Sequence, residues 1–207
     1  NYYPKVLANN AIDFFSSEHI TCWNLALMIH ALGKVGLEVF DVDVMDFLGG
    51  SIRVYIGHKY SRLVKRNRIN AVLVNESLWS TTEAWHRFQK TADKNREQLV
   101  DLIKTINAEG RKVFVYGAST RGNSLLQYYN IDHTSLPFAA DKDANKWGKK
   151  MAGTKIPIIS EEEAREQHPD YFLILPYSYA NEFLAREKPF RERGGKFIIP
   201  LPEVQVV

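Results

Sequence analysis

A chain of 207 residues with 45% hydrophobic and 12% aromatic side chains can bury a substantial core in one large domain or two small ones. Its net charge of +3 is too small to indicate a nucleic-acid partner. The sequence contains no run of about 18 apolar residues, so no membrane span is predicted. The single cysteine, Cys22, excludes an internal disulfide framework; together with the lack of a recognisable signal peptide it predicts a reducing, cytoplasmic location.

The first block of the chain, residues 1 to about 60, predicts a helix followed by an antiparallel hairpin. Residues 23–36 carry apolar side chains at helical spacing and close on a glycine. Residues 37–47 and 49–58 alternate apolar with polar side chains on either side of a double glycine. This alternation is typical of half-buried strands.

A long amphipathic helix is predicted next, after a polar and basic stretch at 61–74 that is interpreted as a connection. Ser80 and Glu83 have the spacing of a capping box, and the apolar stripe continues to Gly110. The stripe consists of Trp85, Phe88, Ala92, Leu99, Leu102 and Ile106. We expect it to pack on this protein's own domains rather than in a dimeric coiled coil, because the pattern is short and Asn95 interrupts it.

The remaining residues, 111–207, alternate strand and helix. Strands are predicted at 112–117, 136–141, 155–159, 171–175 and 196–201, and helices at 122–130, 161–167 and 180–193. Ser160 with Glu163 forms a second capping box, and Gly194-Gly195 can end the last helix. The order predicts an α/β fold with a mostly parallel sheet of five strands flanked by helices. Ligands of such sheets sit at the carboxyl ends of the strands.

The glycine turn at 117–122, GASTRG, is the first candidate site at those ends. Gly117 permits a sharp bend, and the N–H groups of the following helix favour an anion. Ser119 replaces the middle glycine of the dinucleotide fingerprint G-x-G-x-x-G; it hinders close approach of a pyrophosphate and adds a hydroxyl. A plain turn without a ligand is an equal alternative. The residues predicted to bind substrate here are Ser119, Thr120, Arg121 and Asn123.

Three further residues near strand ends are candidate substrate contacts. Asp141 ends the second predicted strand, where a carboxylate can accept hydrogen bonds from ribose hydroxyls, although a solvated turn explains it as well. Tyr177 and Tyr179 follow the fourth predicted strand and can stack on a base or a sugar ring. The alternative for both tyrosines is that they cap the core.

The adjacent pair Glu18 and His19 precedes the first predicted helix in the stretch FFSSEHITCW. Histidine titrates near neutrality and can act as a general base, although a structural role is the commoner explanation for such a dipeptide. One cysteine and scattered histidines provide no zinc-binding spacing, so no metal is expected. The nucleophile motif G-x-S-x-G is absent from the sequence as well.

Seven segments occurring in one order give the chain a specific resemblance. They are NNAIDFFSSEHIT, VGLEVFDVDVMDFLGGSIRVYIG, VFVYGASTRGNSLLQYY, AADKDANKWGK, IPIISEEEA, PDYFLILPYSY and RERGGKFIIPLPEV. Together they cover much of the chain, and the chain resembles the C-terminal part of the sugar-nucleotide C-methyltransferases of deoxysugar biosynthesis. The resemblance implies that residues 1–60 are the end of a methyltransferase domain, 61–110 a linker and long helix, and 111–207 a Rossmann-like C-terminal domain.

The resemblance also implies a reaction. In this family a histidine of a Tyr-His-Glu-His stretch takes a proton from the carbon beside a sugar ketone, and the enolate attacks a methyl sulfonium. Glu18 and His19 match the last two positions of that stretch, whereas Ser16 and Ser17 stand in place of Tyr and His. Leu48 stands where a histidine often precedes the double glycine. Ser16 is too short to reach the point at which a tyrosine could stabilise the enolate.

The partners that the resemblance implies are a nucleoside-diphosphate keto-deoxysugar, with thymidine as the nucleoside, and an upstream domain, absent from this chain, that binds S-adenosylmethionine. The chain begins at Asn1 without an initiator methionine and contains no donor-binding loop, so we expect it to be a piece that is inactive by itself. One alternative is a non-catalytic sugar-nucleotide-binding module. Another is a nicotinamide-dependent oxidoreductase, which Ser119 disfavours.

Overall fold

A computed structural model describes residues 2–16, 18–45, 49–60 and 62–207. The chain divides into two units, residues 1–91 and residues 92–207. The division falls within the long helix, so this helix contributes residues to both units. Each unit is described separately below.

The first unit is a two-stranded hairpin covered by helices. Its elements are α1 (Tyr3–Ala8), a 3-10 turn (Ile12–Phe14), α2 (Leu25–Lys34), β1 (Leu37–Met45), β2 (Ser51–His58) and α3 (Arg66–Ser77). The predicted helix and both predicted strands are confirmed, although the helix starts two residues later than expected, after the side chain of Asn24 accepts a hydrogen bond from the Leu27 N–H. The sequence pattern missed α1 and the 3-10 turn.

The hairpin pairs β1 with β2 antiparallel, and Val42 lies opposite Val54. A bulge between Val39 and Asp41 places Asp41 and Val42 side by side in buried positions. Leu25 of α2, Val39 and Val42 of β1 and Ile69 of α3 form the buried core of this unit. Both helices therefore pack against β1, whereas no residue of β2 is fully buried.

The interpretation of residues 61–74 as a connection is wrong, because α3 spans Arg66–Ser77. Only a few apolar side chains of α3 face the hairpin: Ile69 is buried, and Val72 and Leu73 are half-buried. Most of its other residues are polar, so the sequence shows no clear helical spacing of apolar residues. The basic residues that suggested a linker instead hold the helix start. Lys65 donates to the buried Asp41 carboxylate at 2.6 Å, and Arg68 forms an ion pair with it at 3.0 Å.

The long helix α4 spans Thr82–Ala108 and ends before Gly110, whose φ is +73°. The predicted capping box is wrong, since Thr81 accepts from the Ala84 N–H while Ser80 donates to the Glu76 carbonyl. Asn95 is buried and donates to the Pro202 carbonyl at 2.7 Å, so the residue that interrupts the stripe serves internal packing.

The apolar stripe of α4 packs within the chain, as predicted. Phe88, Ala92, Leu99 and Ile106 are buried, and Ile103 joins them. Among the residues that the structure describes, no helix combines the length and the apolar character needed to cross a bilayer.

The second unit is built on a six-stranded sheet. Its further elements are β3 (Val113–Tyr116), α5 (Thr120–Tyr128), β4 (Ala139–Asp141), β5 (Ile158–Ser160), α6 (Glu161–Glu166), β6 (Tyr171–Ile174), α7 (Ala180–Arg186), α8 (Lys188–Glu192), β7 (Lys196–Ile199) and β8 (Gln205–Val206). Two 3-10 turns, Ala144–Lys146 and Tyr177–Tyr179, follow β4 and β6.

The strands lie in the order β5-β4-β3-β6-β7-β8, and all neighbours are parallel except the pair of β7 and β8. The α/β prediction is confirmed, and the predicted count of five strands lacks only the two-residue antiparallel β8. This order is that of the doubly wound nucleotide-binding sheet. The chain leaves β3 in one direction and returns as β6 on its other side, which makes the β3–β6 boundary the switch point of the sheet.

The predicted helix at 180–193 is two helices, because α7 ends at Arg186 and α8 begins at Lys188. Pro189 sits in the first turn of α8, where its missing N–H costs nothing, whereas it cannot continue α7. The capping interaction at Ser160 is confirmed, since its hydroxyl accepts from the Glu163 N–H at 2.9 Å. Gly194 ends α8 with φ +89°, as predicted.

The core of the second unit fills both faces of the sheet. On one face, buried aromatic rings of β3, β6, α8 and β7 pack on one another; these are Phe114, Tyr116, Phe172, Phe190 and Phe197. Strand residues of the opposite parity, such as Val113, Val115 and Leu173, are buried as well. Burial on both faces explains why the parallel strands read as continuous apolar runs.

Candidate functional site

A cavity of about 630 Å³ opens outside the carboxyl ends of β3 and β4, beside the switch point of the sheet. The side chains around it come from the ends of three strands, from the start of α6 and from α7. They are Tyr116, Gly117, Ser119, Asp141, Lys142, Asp143, Lys146, Glu161, Pro176, Tyr179, Glu182, Phe183 and Arg186. A crevice at this position of a doubly wound sheet is where such folds bind ligands.

The glycine turn forms the part of the cavity wall between β3 and α5. Gly117 has φ +86°, and a Cβ there would lie 2.7 Å from the Pro176 ring. A Cβ on Gly122 would lie 2.4 Å from the Leu175 Cβ, so this glycine allows α5 to pack closely against the residue that follows β6. Ser119 caps α5 by accepting from the Gly122 N–H at 3.1 Å. The turn therefore has a structural use for each of its glycines and for its serine.

Asp141 is buried and holds the two strand-end loops together. One carboxylate oxygen accepts from the Ala118 N–H at 2.8 Å and from Lys146 Nζ at 2.9 Å, and the other accepts from the Asp143 N–H at 2.9 Å. Three intramolecular donors leave this carboxylate little free acceptor capacity. Its predicted ribose contact stays a prediction, and its observed partners fix the rim of the cavity.

Two cationic side chains beside Asp141 were not among the predicted site residues. Lys146 bridges Asp141 and the Ala118 carbonyl, the latter at 3.1 Å, and it is partly exposed to the cavity. Lys142 is exposed, and no ion pair is found for it among the described residues. The run DKDANK already contained this signal, because both lysines follow closely on the aspartate that ends a strand.

An ion-pair network lies beneath the other side of the cavity. Glu187 receives two hydrogen bonds from Arg165 and one from the Tyr116 hydroxyl, the latter at 2.7 Å. Burial alone raises the pKa of Glu187, but hydrogen bonds from Arg165 and Tyr116 outweigh it and hold that pKa below its ordinary value. Glu161 bonds both Arg165 and Arg186, so two carboxylates and two guanidinium groups balance in charge.

The cavity brings together three of the predicted substrate-binding residues, Ser119, Asp141 and Tyr179. Tyr179 is 39% exposed at the cavity edge. The other four do not line this cavity; they are Thr120, Arg121, Asn123 and Tyr177. The Asn123 side-chain oxygen accepts from the Thr154 hydroxyl at 3.2 Å, which ties α5 to the loop before β5. The roles of these four residues remain predictions.

The candidate base, His19, lies in the first unit after the 3-10 turn. Its Nδ1 is 2.6 Å from the Phe14 carbonyl oxygen, and its ring stacks on the Phe14 ring with centroids 4.6 Å apart. A carbonyl only accepts, so Nδ1 carries the hydrogen and the lone pair of the neutral ring is on Nε2. Glu18 is exposed, and Ser16 is half-buried. Ser17 and Leu48 lie outside the described residues.

Within the described ranges, no three His, Cys, Asp or Glu side chains cluster in a way that could hold a metal ion. The described residues place hydrogen-bonding and cationic side chains around the cavity of the second unit, and an imidazole oriented by the Phe14 carbonyl in the first unit.

Comparison with known proteins places this arrangement in a family. A family model described as the C-methyltransferase C-terminal domain matches residues 46–202. The chain belongs to this C-methyltransferase family. It is also 34% identical over 208 residues to C-methyltransferase NovU from Streptomyces niveus, an alignment that covers 100% of this chain and 50% of NovU. The chain thus spans about half the length of that curated relative.

The family match confirms the resemblance seen in the sequence segments. It covers the hairpin strand β2, α3, α4 and nearly all of the six-stranded unit. The cavity residues from Tyr116 to Arg186 all lie within the matched range, whereas Glu18 and His19 lie before it and are covered by the alignment to NovU.

Proposed function

We propose that this chain is the C-terminal part of an S-adenosylmethionine-dependent C-methyltransferase that acts on a nucleoside-diphosphate keto-deoxysugar. The observation that carries the proposal is the cavity at the switch point of the second unit, in a chain of the C-methyltransferase family. In this proposal residues 1–60 end the methyltransferase domain, 61–110 link it, and 111–207 bind the sugar nucleotide. The partner of the chain is the domain that binds the methyl donor.

The charges of the cavity support a phosphate-bearing ligand. Lys142 and Lys146 stand beside the start of α5, where the helix dipole adds to the attraction for an anion. Tyr179 and Phe183 offer aromatic faces for a base or a sugar ring. Ser119 disfavours a nicotinamide dinucleotide, because its side chain at the middle position of the glycine fingerprint hinders close approach of the dinucleotide pyrophosphate.

His19 is proposed as the base for the carbon acid. Nε2 takes the proton from the carbon beside the ketone, and the electrons of that C–H bond form the enolate. Because the Phe14 carbonyl holds Nδ1–H, the ring presents Nε2 in the required tautomer. When bound by the upstream domain, S-adenosylmethionine would supply the electrophilic methyl group for the enolate carbon, while His19 of this chain holds the abstracted proton.

No residue of this chain is assigned to the methyl donor. The glycine turn after β3 uses Gly117 and Gly122 for close contact with Pro176 and Leu175. A Cβ at either position would meet protein atoms, so these glycines do not open space for a cofactor. We therefore propose that the donor is held by the upstream domain.

Calorimetry with thymidine 5′-diphosphate tests the nucleotide site on the 207-residue chain. We expect binding, and we expect Lys142→Met to weaken it by about three- to tenfold, since an exposed lysine contributes a screened charge. Lys104→Met removes an exposed lysine of α4 and serves as the control. A wild-type chain that does not bind the nucleotide contradicts the proposal. Arg121→Ala in the same titration decides whether the ligand extends to α5, and unchanged affinity removes Arg121 from the site.

Solvent deuterium exchange tests the base in the complete methyltransferase. We expect His19→Ala to bind the sugar nucleotide but to lose deuterium wash-in at the carbon beside the ketone, followed by NMR. His86→Ala, which removes an exposed histidine of α4, is the matched control and should exchange normally. Normal exchange in His19→Ala would assign the proton transfer to another group, and a complete protein that binds nucleotide without any exchange would favour a non-catalytic binding module.

A further inference from the structure

Arg186 is the one arginine in the lining of the cavity, and the described residues around it hold its guanidinium in a fixed direction. Its Nη2 donates to the Glu161 carboxylate at 2.6 Å and to the Tyr116 hydroxyl at 2.6 Å. Its planar group also lies over the Phe183 ring, with 5.3 Å from Cζ to the centroid. Two hydrogen bonds and a stacked ring leave the side chain little freedom to reorient.

The donors of Arg186 are only partly used. Both hydrogens of Nη2 are accounted for by Glu161 and Tyr116, whereas no hydrogen bond donated by Nη1 is found within the described part of the chain. The side chain is 42% exposed, and it contributes to the cavity wall. A guanidinium that is fixed on one edge and open on the other presents its remaining N–H groups as a preformed fork.

Arg165, the other arginine of the network, has a different role. Its Nε and Nη2 donate to both carboxylate oxygens of Glu187, and Nη2 also reaches Glu161 at 3.2 Å. Arg165 does not line the cavity. It therefore neutralises the buried Glu187, while the Tyr116 hydroxyl oxygen and the second carboxylate oxygen of Glu161 accept from Arg186.

We propose that Arg186 is an anion-binding residue of the cavity, with Tyr116 and Glu161 as its positioning residues, and that it recognises a phosphate group of the ligand. The inference rests on the proposed function, since it assigns a role within the same nucleotide site. It places a cation on the α7 wall in addition to the lysines that follow β4. The network is neutral in the absence of ligand, so the phosphate meets oriented N–H donors rather than a large excess of charge.

Titration of thymidine 5′-diphosphate and of thymidine against the same variants tests this assignment. Replacing a charge-assisted donor predicts that Arg186→Gln weakens the diphosphate by roughly tenfold to a hundredfold and leaves thymidine within about twofold. Arg186→Lys should retain part of the affinity, because it keeps the charge but loses the fork. Arg191→Gln, at an exposed arginine of α8, is the matched control. Equal weakening of both ligands, or of neither, would overturn the role of Arg186.

The positioning role of Tyr116 is tested by a double-mutant cycle. Tyr116→Phe removes one contact of Nη2 while Arg165 continues to hold Glu187, and we expect about three- to tenfold weaker diphosphate binding. In the Arg186→Gln background the same change should have no further effect on affinity. Additive losses would show that Tyr116 acts only through the fold and would overturn its positioning role. Failure of the wild-type chain to bind the diphosphate would instead reject the proposed function, so the two failures are distinguishable.

Discussion

The two units differ in how their sheets are completed. In the second unit six strands share a core in which Phe172 and Phe197 are fully buried. In the first unit two strands are covered by helices, and β2 has no fully buried residue. A two-stranded hairpin is marginal without a helix packed on it. The stability of the second unit therefore resides in its strands, whereas that of the first depends on how α2 and α3 are attached to the hairpin.

The largest expected contrast comes from truncating one strand side chain in each unit. Phe172→Ala removes a ring that contacts the rings of Tyr116 and Phe190, and should reduce the free energy of unfolding of its unit by about 3–5 kcal/mol. Val54→Ala, at a half-buried position of β2, should cost about 1 kcal/mol.

Fluorine NMR of labelled tryptophans can measure both changes. Trp147 reports on the second unit, and Trp23, Trp79 and Trp85 report on the first. Denaturant titrations then give one transition for each unit. Equal costs for the two truncations would contradict the contrast between a strand-based and a helix-based core.

The attachment of α2 is the weak point expected in the first unit. The buried Glu76 carboxylate of α3 accepts from the Leu25 N–H at 2.7 Å and the Ala26 N–H at 3.0 Å. Glu76→Gln replaces one acceptor by a donor and should cost about 1.5–3 kcal/mol in the transition of the first unit. The exposed Glu83→Gln is the control and should cost less than about 1 kcal/mol. A first unit unaffected by Glu76→Gln would place its stability elsewhere.

Acid should destabilise the second unit through Glu187. The pKa of this carboxyl is lowered in the folded state, so its contribution is complete above the unfolded value of 4.5 and is lost as pH falls through the folded value. We expect the unfolding free energy to fall below about pH 4.5, by at most about 1.4 kcal/mol per pH unit for this group. Glu187→Gln should flatten that slope, measured by denaturant titration at several pH values; an unchanged slope would assign the acid sensitivity to other carboxyls.

Salt should affect the acid sensitivity of the two units to different extents. Hydrogen bonding to Lys65, together with Arg68, lowers the pKa of Asp41 in the first unit, but those cations are 54% and 47% exposed. Salt screens exposed charges more than buried ones. High salt should therefore reduce the acid sensitivity of the first unit more than that of the second. Denaturant titrations at several pH values, with and without salt, measure this through the same tryptophan signals.

The smallest expected effects are those of helix caps, and here the units should agree. Asn24→Ala removes the cap of α2 and Ser160→Ala that of α6, each with a loss of about 1 kcal/mol. Restoring the cap with Asp at either position is the control. A clear difference between the two losses would mean that the local capping energy depends on the unit around it.

Elements with a long period or a strong strand pattern could be predicted from the sequence. The parallel strands, α4 and both hairpin strands have such patterns. By contrast, α3 presents few apolar side chains to the hairpin, and β8 is only two residues long. Neither α3 nor β8 has enough apolar residues at regular spacing for the sequence to predict it, because tertiary packing determines their secondary structure.

The candidate site was predictable where it depends on strand ends. Ser119 lies in the turn after β3, and Asp141 is the last residue of β4. Both line the cavity. Glu161 and Arg186 come from helices that only the fold brings together, 25 positions apart in the chain. No local spacing identifies such a pair, so the network around Arg186 could not be predicted from the sequence and is seen only in the folded structure.

The contact between His19 and the Phe14 carbonyl has a consequence for the energetics of proton transfer. The carbonyl can accept the same Nδ1–H whether the ring is neutral or has gained a proton at Nε2. The imidazole can therefore change its charge without rotating and without exchanging its backbone partner. Because the 3-10 turn Ile12–Phe14 supplies this backbone partner, the proposed role of His19 as a base would need little reorganisation of the ring. The backbone of this short turn thereby sets the direction of the imidazole proposed as the proton acceptor.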